Sequence, residues 1–199
     1  MMNRISTFFS VIFHPIFMLL WYLLYLYLAS DVNFGASFYS VIVLFSAIIP
    51  IVAILIGHAT KIISSYQMQE RKDRYFIYAI TIISYFVILY YMWYVDGFSF
   101  MHPLSKIIFG GTISLILVSI INFFWKISIH MSGAGALFAS FILTMGSCGL
   151  VRITELVVCV AIASVVGWAR MQLDSHTLSQ VISGWFVGLC PQLLLYVLF

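Results

Sequence analysis

Charged residues are scarce in this sequence. The chain has nine Lys or Arg and six Asp or Glu among 199 residues, so only 8% are charged, whereas 64% are hydrophobic. A soluble domain carries about 25% charged residues, because water must solvate its surface. The mean hydropathy of +1.13 agrees with this contrast. The scarcity of charge excludes a soluble domain and predicts an integral membrane protein. A net charge of +3 on so few charges does not suggest a nucleic-acid partner.

Other absences exclude several kinds of functional site. The three cysteines, Cys148, Cys159 and Cys190, stand in apolar stretches without metal-binding spacing and are interpreted as buried thiols. No carboxylate cluster is present to hold a divalent cation, so we predict no metal and no cofactor. The last apolar segment has no lysine, which argues against a retinal protein. The apolar run after Arg4 has no small-residue cleavage site and is interpreted as a span, not a signal peptide.

The apolar residues fall into segments of membrane-spanning length, since a helix needs about 20 of them to cross the hydrocarbon core. The segments are 8–30, 38–60, 75–95, 104–125, 131–147, 151–169 and 177–198. They predict an all-α fold, a polytopic transmembrane helix bundle of six to seven spans that forms one integral membrane domain over residues 1–199. Gly, Ala and Ser are frequent between 131 and 169, which predicts that these two spans form the packed centre.

Alternation of the spans places most polar residues on one side of the membrane. If the N-terminus lies on a side called A, the connectors 61–74, 126–130 and 170–176 all lie there. Arg152 and Glu155 fall just inside the sixth span near the opposite side, and their spacing predicts that they pair with each other. The polar chemistry is therefore expected at side A.

Two of the side-A connectors concentrate polar residues, and the second of them suggests an anion site. Glu70-Arg71-Lys72-Asp73-Arg74 precedes the third span, and Lys126, Ser128 and His130 precede the fifth. A cation, a hydroxyl, an imidazole and free amides at a helix N-terminus can hold an anion. The alternatives are a solvated, positively charged loop and a snorkelling lysine beside an interfacial histidine.

The third connector places a histidine in a reactive setting, and the alternative is an Arg and a His that occur by chance in a loop. If Asp174 or Ser175 caps the last helix, His176 sits in its first turn and Gln180 stacks on the same face. The Gln180 carbonyl can then accept the Nδ1 proton of His176, which leaves Nε2 bare, as a nucleophile or base requires. In the first span, His14-Pro15 predicts a bend. His14 can line the same cavity, and the alternative is a packing histidine whose hydrogen bonds are satisfied.

These motifs resemble the signatures of the type 2 phosphatidic acid phosphatase superfamily, as a divergent bacterial member. Its third signature is Ser-Arg, five residues, His, three residues, Asp, and then Gly. Here Ala169-Arg170, His176, Gln180 and Gly184 have that spacing. The second signature, Pro-Ser-Gly-His, is matched loosely by Ile127-Ser128-Ile129-His130. For the first signature, Arg74-Tyr75 stands for Arg-Pro, while Gln67 occupies the lysine position and Arg71 or Lys72 can substitute.

The resemblance implies a metal-independent lipid phosphatase. His176 would be the nucleophile that forms a phosphohistidine, and Gln180 would orient it. His130 would protonate the leaving oxygen or, later, help water attack. Phosphate oxygens would be bound by six residues, Arg170, Arg74, Arg71, Lys72, Lys126 and Ser128. The substrate would be a lipid phosphomonoester or pyrophosphate, held among membrane lipids. The oligomeric state is not determined by the sequence.

The departures from the signatures keep other readings open. Gln180 lacks the charge of Asp, and Ile129 replaces a Gly, so a weakened or inactive relative that binds anionic lipid is the alternative. Lys126, one turn from His130, is the candidate compensation, and a small transporter is a further alternative. The resemblance implies a multi-pass protein of the bacterial inner membrane, active at the periplasmic face. A simple count of Lys and Arg instead places side A in the cytoplasm.

Overall fold

The computed structural model describes residues 2–29, 34–66, 68, 70–148 and 153–199. Gln67, Arg152 and the 31–33 connector, together with the side chain of Cys148, lie outside the described part, and so does the predicted Arg152–Glu155 pair. Within the described part the chain is helical and contains no β-strand. The predicted fold class is therefore confirmed.

The elements follow the apolar segments closely. They are α1 (Met2–Ile12), α2 (Pro15–Ala29), α3 (Ala36–Val43), α4 (Ile49–Ala59), α5 (Lys72–Tyr94), α6 (Pro103–Phe124), α7 (Ile129–Cys148), α8 (Ile153–Gln172) and α9 (Leu178–Leu198). A π-helical turn, Leu44–Ile48, joins α3 and α4 into one helix of 24 residues. Among the described residues, six helices are long and apolar enough to span a membrane, and α1 with α2 makes a seventh if counted as one span.

The first span is broken where the sequence predicts a bend. α1 ends at Ile12, α2 begins at Pro15, and the two helices are inclined by 60°. Proline has no N–H to continue the helical ladder and is favoured at the first position of a helix. His14 stabilises the new start, because its Nδ1 accepts the backbone N–H of Ile16 at 3.3 Å. The bend directs α1 toward α8, against which it packs.

The packed centre is formed by α7 and α9. In α7, 61% of the spanning segment is buried, against 28% in α8, and α7 packs most extensively on α9. A Cβ atom on Gly188 would come within 1.8 Å of the Ser132 carbonyl oxygen, and one on Gly184 within 2.5 Å of the Ser128 carbonyl oxygen. These backbones touch because the two glycines lie four residues apart on one face. The prediction of a central α7 is confirmed, whereas α8 lies at the periphery.

The side-A connectors meet at one end of the bundle. Nη1 of Arg74 donates to the carbonyl oxygen of Ile127 at 3.2 Å. Nδ1 of His176 lies 3.2 Å from the carbonyl oxygen of Lys126. The connectors that precede α5, α7 and α9 are thus in direct contact, as the alternation of spans predicts.

Candidate functional site

A cavity of about 270 Å³ lies inside the bundle and reaches the side-A connectors. Arg74, His130, Arg170 and His176 line it together. Most of the remaining wall is apolar and includes Met18, Leu19, Ile77, Ile107, Ile108, Leu115 and Leu137. A cavity with a cationic end and an apolar body suits an amphipathic molecule with an anionic head.

His176 is held in one tautomer. Its Nδ1 lies 3.1 Å from Oε1 of Gln180 and 3.2 Å from the carbonyl oxygen of Lys126. Oε1 of Gln180 also accepts the backbone N–H of Thr177 at 3.2 Å, which fixes the orientation of the amide. Because both neighbours of Nδ1 can only accept, Nδ1 carries the proton and Nε2 keeps its lone pair. The contact between His176 and Gln180 that the spacing predicts is present.

The residue that caps α9 differs from the prediction. The cap is Thr177, not Asp174 or Ser175, and α9 begins at Leu178. Thr177 and Gln180 form a reciprocal capping box, in which each side chain bonds to the backbone N–H of the other residue. Of the three candidate caps only Thr177 has a Gln three residues later, so this signal is present in the sequence. His176 therefore precedes the helix instead of lying in its first turn.

The surroundings of His176 keep its imidazole neutral. Burial, and then the positive charges of Arg74 and Arg170, lower the pKa of His176 from its ordinary 6.5 to about 3. Burial and the same two arginines also lower the pKa of Lys126. In both residues burial is the larger cause, and the positive charges of the two arginines at the cavity end lower the pKa further. A neutral imidazole with a free Nε2 is the form that can attack an electrophile.

The two arginines have no carboxylate partner in the described part of the chain. Arg74 donates from Nε to the carbonyl oxygen of Met68 at 3.0 Å, in addition to its bond with Ile127. Arg170 donates from Nη1 to Oγ of Ser10 at 2.8 Å, while its Nε is buried without a partner among the described residues. Guanidinium groups left with free donors bind phosphate and carboxylate strongly.

The carboxylate next to Arg74 in the sequence, that of Asp73, is turned away from this site. Asp73, which is 1% exposed, accepts the backbone N–H of Ser64 at 3.1 Å and also the Ser64 hydroxyl. It thereby fixes the connector before α5. Asp73 therefore does not neutralise the adjacent Arg74, whose positive charge acts on the cavity.

His130 is held by a residue that the sequence analysis missed. Its Nε2 lies 3.2 Å from the carbonyl oxygen of Ser10 and 3.3 Å from Oγ of Ser10. Its Nδ1 is buried and has no partner in the described residues. Ser10 therefore connects His130 to Arg170. The available signal was the four-residue spacing of Ser6, Ser10 and His14, a polar stripe on an apolar helix.

Two of the predicted phosphate ligands are not brought to the cavity. Arg71 donates from Nη1 to the carbonyl oxygen of Phe123 at 3.1 Å, near the end of α6. Lys72 pairs with Glu70 at 2.9 Å, and their side chains are 73% and 60% exposed. The last carbonyl groups of a helix lack intrahelical partners, which explains why Arg71 turns toward α6.

Ser128 and Lys126 support the site through other atoms than predicted. Ser128 is fully buried, and its Oγ accepts the backbone N–H of Met131 at 3.4 Å, which caps α7. Lys126 contributes its carbonyl oxygen to His176, and neither residue lines the cavity. Arg74, Arg170, His130 and His176 are the predicted site residues that the structure brings together around the cavity, with Gln180 behind His176.

Comparison with known protein families, with characterised proteins and with solved structures finds no match for this chain. Function is therefore inferred from the geometry of the site and from the resemblance of its motifs.

Proposed function

We propose that the protein is a metal-independent membrane phosphatase that hydrolyses a lipid phosphomonoester or pyrophosphate through a phosphohistidine intermediate. The observation that carries this proposal is the state of His176. Its Nδ1 proton is held by two carbonyl oxygens, and its Nε2 has no hydrogen bond among the described residues. Arg74 and Arg170 line the same cavity and have no carboxylate partner in that part of the chain. This set combines a nucleophile with donors for a phosphoryl group.

The reaction would proceed in two steps. Nε2 of His176 forms a bond to phosphorus while the bond from phosphorus to the leaving oxygen breaks, and His130 supplies a proton to that oxygen. Water then attacks the phosphorus of the phosphohistidine and gives a proton to His130, which restores it, while the P–N bond breaks and phosphate leaves. Arg74 and Arg170 stabilise the charge that spreads over the phosphoryl oxygens in both steps. Gln180 keeps the Nδ1 proton of His176 in place throughout.

The shape of the cavity supports a lipid substrate. Its apolar walls lie among the spans and its cationic end lies at side A, so a tail fits the former and a phosphate the latter. Polyprenyl pyrophosphate, phosphatidylglycerol phosphate, phosphatidic acid and a lipid A phosphate all have this form. We place the protein in a bacterial cytoplasmic membrane with the site at the periplasmic face, as the motif resemblance implies.

A binding protein without efficient turnover is the second candidate, and two features favour it. Nε2 of His130 is engaged with the Ser10 carbonyl oxygen at 3.2 Å, so this bond must break before His130 can serve a leaving group. In addition, Gln180 carries no negative charge to stabilise an imidazolium. Both features would slow hydrolysis and leave phosphate binding intact.

The test is phosphate release from the four lipid classes by detergent-purified protein in the presence of EDTA. We expect release by the native protein and a loss of at least about a thousandfold in His176→Ala, because the nucleophile is removed. His102→Asn is the control, since His102 caps α6 on the opposite side of the membrane. Undiminished release by His176→Ala would refute the nucleophile. Binding of lipid phosphate without any release would favour the second candidate.

A further inference from the structure

A third histidine, His14, lines the cavity beside the residues already described. It belongs to none of the motifs on which the family resemblance rests. Its ring meets that of His130 edge-on, with centroids 4.9 Å apart and planes at 84°. The break between α1 and α2 places it there, because the chain turns by 60° at this point.

The hydrogen bonding of His14 determines what it can offer a ligand. Nδ1 accepts the backbone N–H of Ile16 at 3.3 Å, so Nδ1 holds the lone pair and the neutral ring carries its proton on Nε2. His176 is the opposite case, since it presents a lone pair. His130 already uses Nε2 to contact Ser10. His14 thus supplies an N–H donor, and it does so without adding charge to a site that already contains two arginines.

We propose that His14 is a ligand of the bound phosphate group and donates its Nε2 proton to a non-bridging oxygen. The elbow between α1 and α2 is then part of the anion site, together with Arg74 and Arg170. The inference rests on the proposed function only for the identity of the ligand as phosphate. It holds equally for hydrolysis and for binding without turnover.

The chain contains a matched control for this role. At His102-Pro103-Leu104 the histidine Nδ1 accepts the backbone N–H of Leu104 at 3.2 Å, and proline is the first residue of α6. The same cap therefore occurs twice, at His14 inside the cavity and at His102 away from it. Asparagine is a good cap and reproduces the acceptor at the Nδ1 position. Glutamine reproduces a donor near the Nε2 position.

The experiment compares His14→Asn, His14→Gln and His102→Asn in detergent with EDTA. Binding of inorganic phosphate and of a phosphonate analogue of phosphatidic acid, whose P–C bond cannot be hydrolysed, is measured by calorimetry, and Tm is measured alongside. In His14→Asn we expect a near-native Tm and a Kd raised about ten- to a hundredfold for both ligands, since a hydrogen bond to a charged group is lost. In His14→Gln we expect a Tm lower by several degrees and a near-native Kd. His102→Asn should leave both Kd values unchanged.

Three outcomes would overturn the proposal. They are a native Kd in His14→Asn, a loss of affinity that follows the loss of Tm across both His14 variants, and a loss confined to the lipid. The last result would place His14 beside the tail instead of the phosphate. Because binding is measured without turnover, an absence of phosphate release by the native protein would refute the phosphatase and leave this test intact.

Discussion

Three histidines surround one cavity, and the atoms that hold their rings give each a different chemical character. His176 is fixed through Nδ1 by two carbonyl oxygens and presents a lone pair. His130 is engaged at Nε2 by Ser10. His14 is fixed through Nδ1 by an N–H group and presents a proton. The spacing in the sequence predicts the contact of His176 with the Gln180 side chain. The states of His130 and His14 could not be assigned in this way, because they depend on backbone groups that only the folded chain positions.

The depressed pKa of His176 predicts a specific dependence of stability on pH. The unfolded chain binds a proton near 6.5 and the folded chain only near 3, so folding is favoured fully above pH 6.5. As pH falls from 6.5 toward 3, the unfolded state takes up the proton first and stability decreases, by at most about 1.4 kcal/mol per pH unit. His176→Asn keeps a donor toward Gln180 but does not titrate.

The measurement is Tm in detergent at several pH values between 7 and 4 for both proteins. We expect the Tm of the native protein to fall more steeply than that of His176→Asn. Parallel curves would show that His176 titrates alike in the folded and unfolded states.

At the scale of elements, contact between the α7 and α9 backbones determines the geometry of the site. α9 follows His176 directly and contains Gln180, while α7 follows the connector that contains Lys126. The sequence contains the signals for the capping box at Thr177 and for the close packing of the α9 glycines. The choice of α9 over α8 as the partner of α7 was not, because small residues occur in both helices and only the facing surfaces distinguish them.

A glycine substitution tests this contact. In Gly188→Ala the added Cβ would lie 1.8 Å from the Ser132 carbonyl oxygen, so the helices must separate. We expect a loss of at least about 1–3 kcal/mol, seen as a lower Tm, together with weaker phosphate binding.

Gly111→Ala is the matched control. There the Cβ would meet a ring carbon of Tyr85 at 3.7 Å, an ordinary contact, so Tm should be retained. A native Tm in Gly188→Ala would mean that the backbones are not in contact.

At the scale of the whole molecule, composition and apolar length were sufficient to predict the helical bundle and its six to seven spans. Alternation of the spans was sufficient to predict that the connectors converge. Two kinds of detail were not predicted from the sequence. Arg71 and Lys72 lie in the predicted connector, yet side-chain direction at a helix start depends on which neighbouring carbonyls need donors. Ser10 contributes a single hydroxyl in an apolar helix, and its contact with Arg170 depends on the bend between α1 and α2.

Cysteine labelling tests the arrangement of the spans. Cys190 is exposed and not buried as the sequence suggested, so the native cysteines would first be replaced by alanine. Single cysteines at the exposed positions Glu70, Gln172 and Asp96 would then be treated with a membrane-impermeant maleimide. We expect Glu70→Cys and Gln172→Cys to react from one side and Asp96→Cys from the other, and the first two to react in intact bacterial cells. Labelling of Glu70 and Gln172 from opposite sides would contradict the arrangement. Labelling of both only from the cytoplasmic side would contradict the proposed orientation alone.

The bond between Ser10 and Arg170 spans 160 residues of chain, which has a consequence for biosynthesis. At a synthesis rate of about 5–20 residues per second, Ser10 is synthesised roughly 8–30 s before Arg170. During this interval the polar face of α1 depends on local bonds, such as that from the Ser6 hydroxyl to the Met2 carbonyl oxygen and the cap from His14 to Ile16. These local bonds satisfy polar groups of α1 in lipid before α8 has been made. The site is complete only after α8 packs against α1.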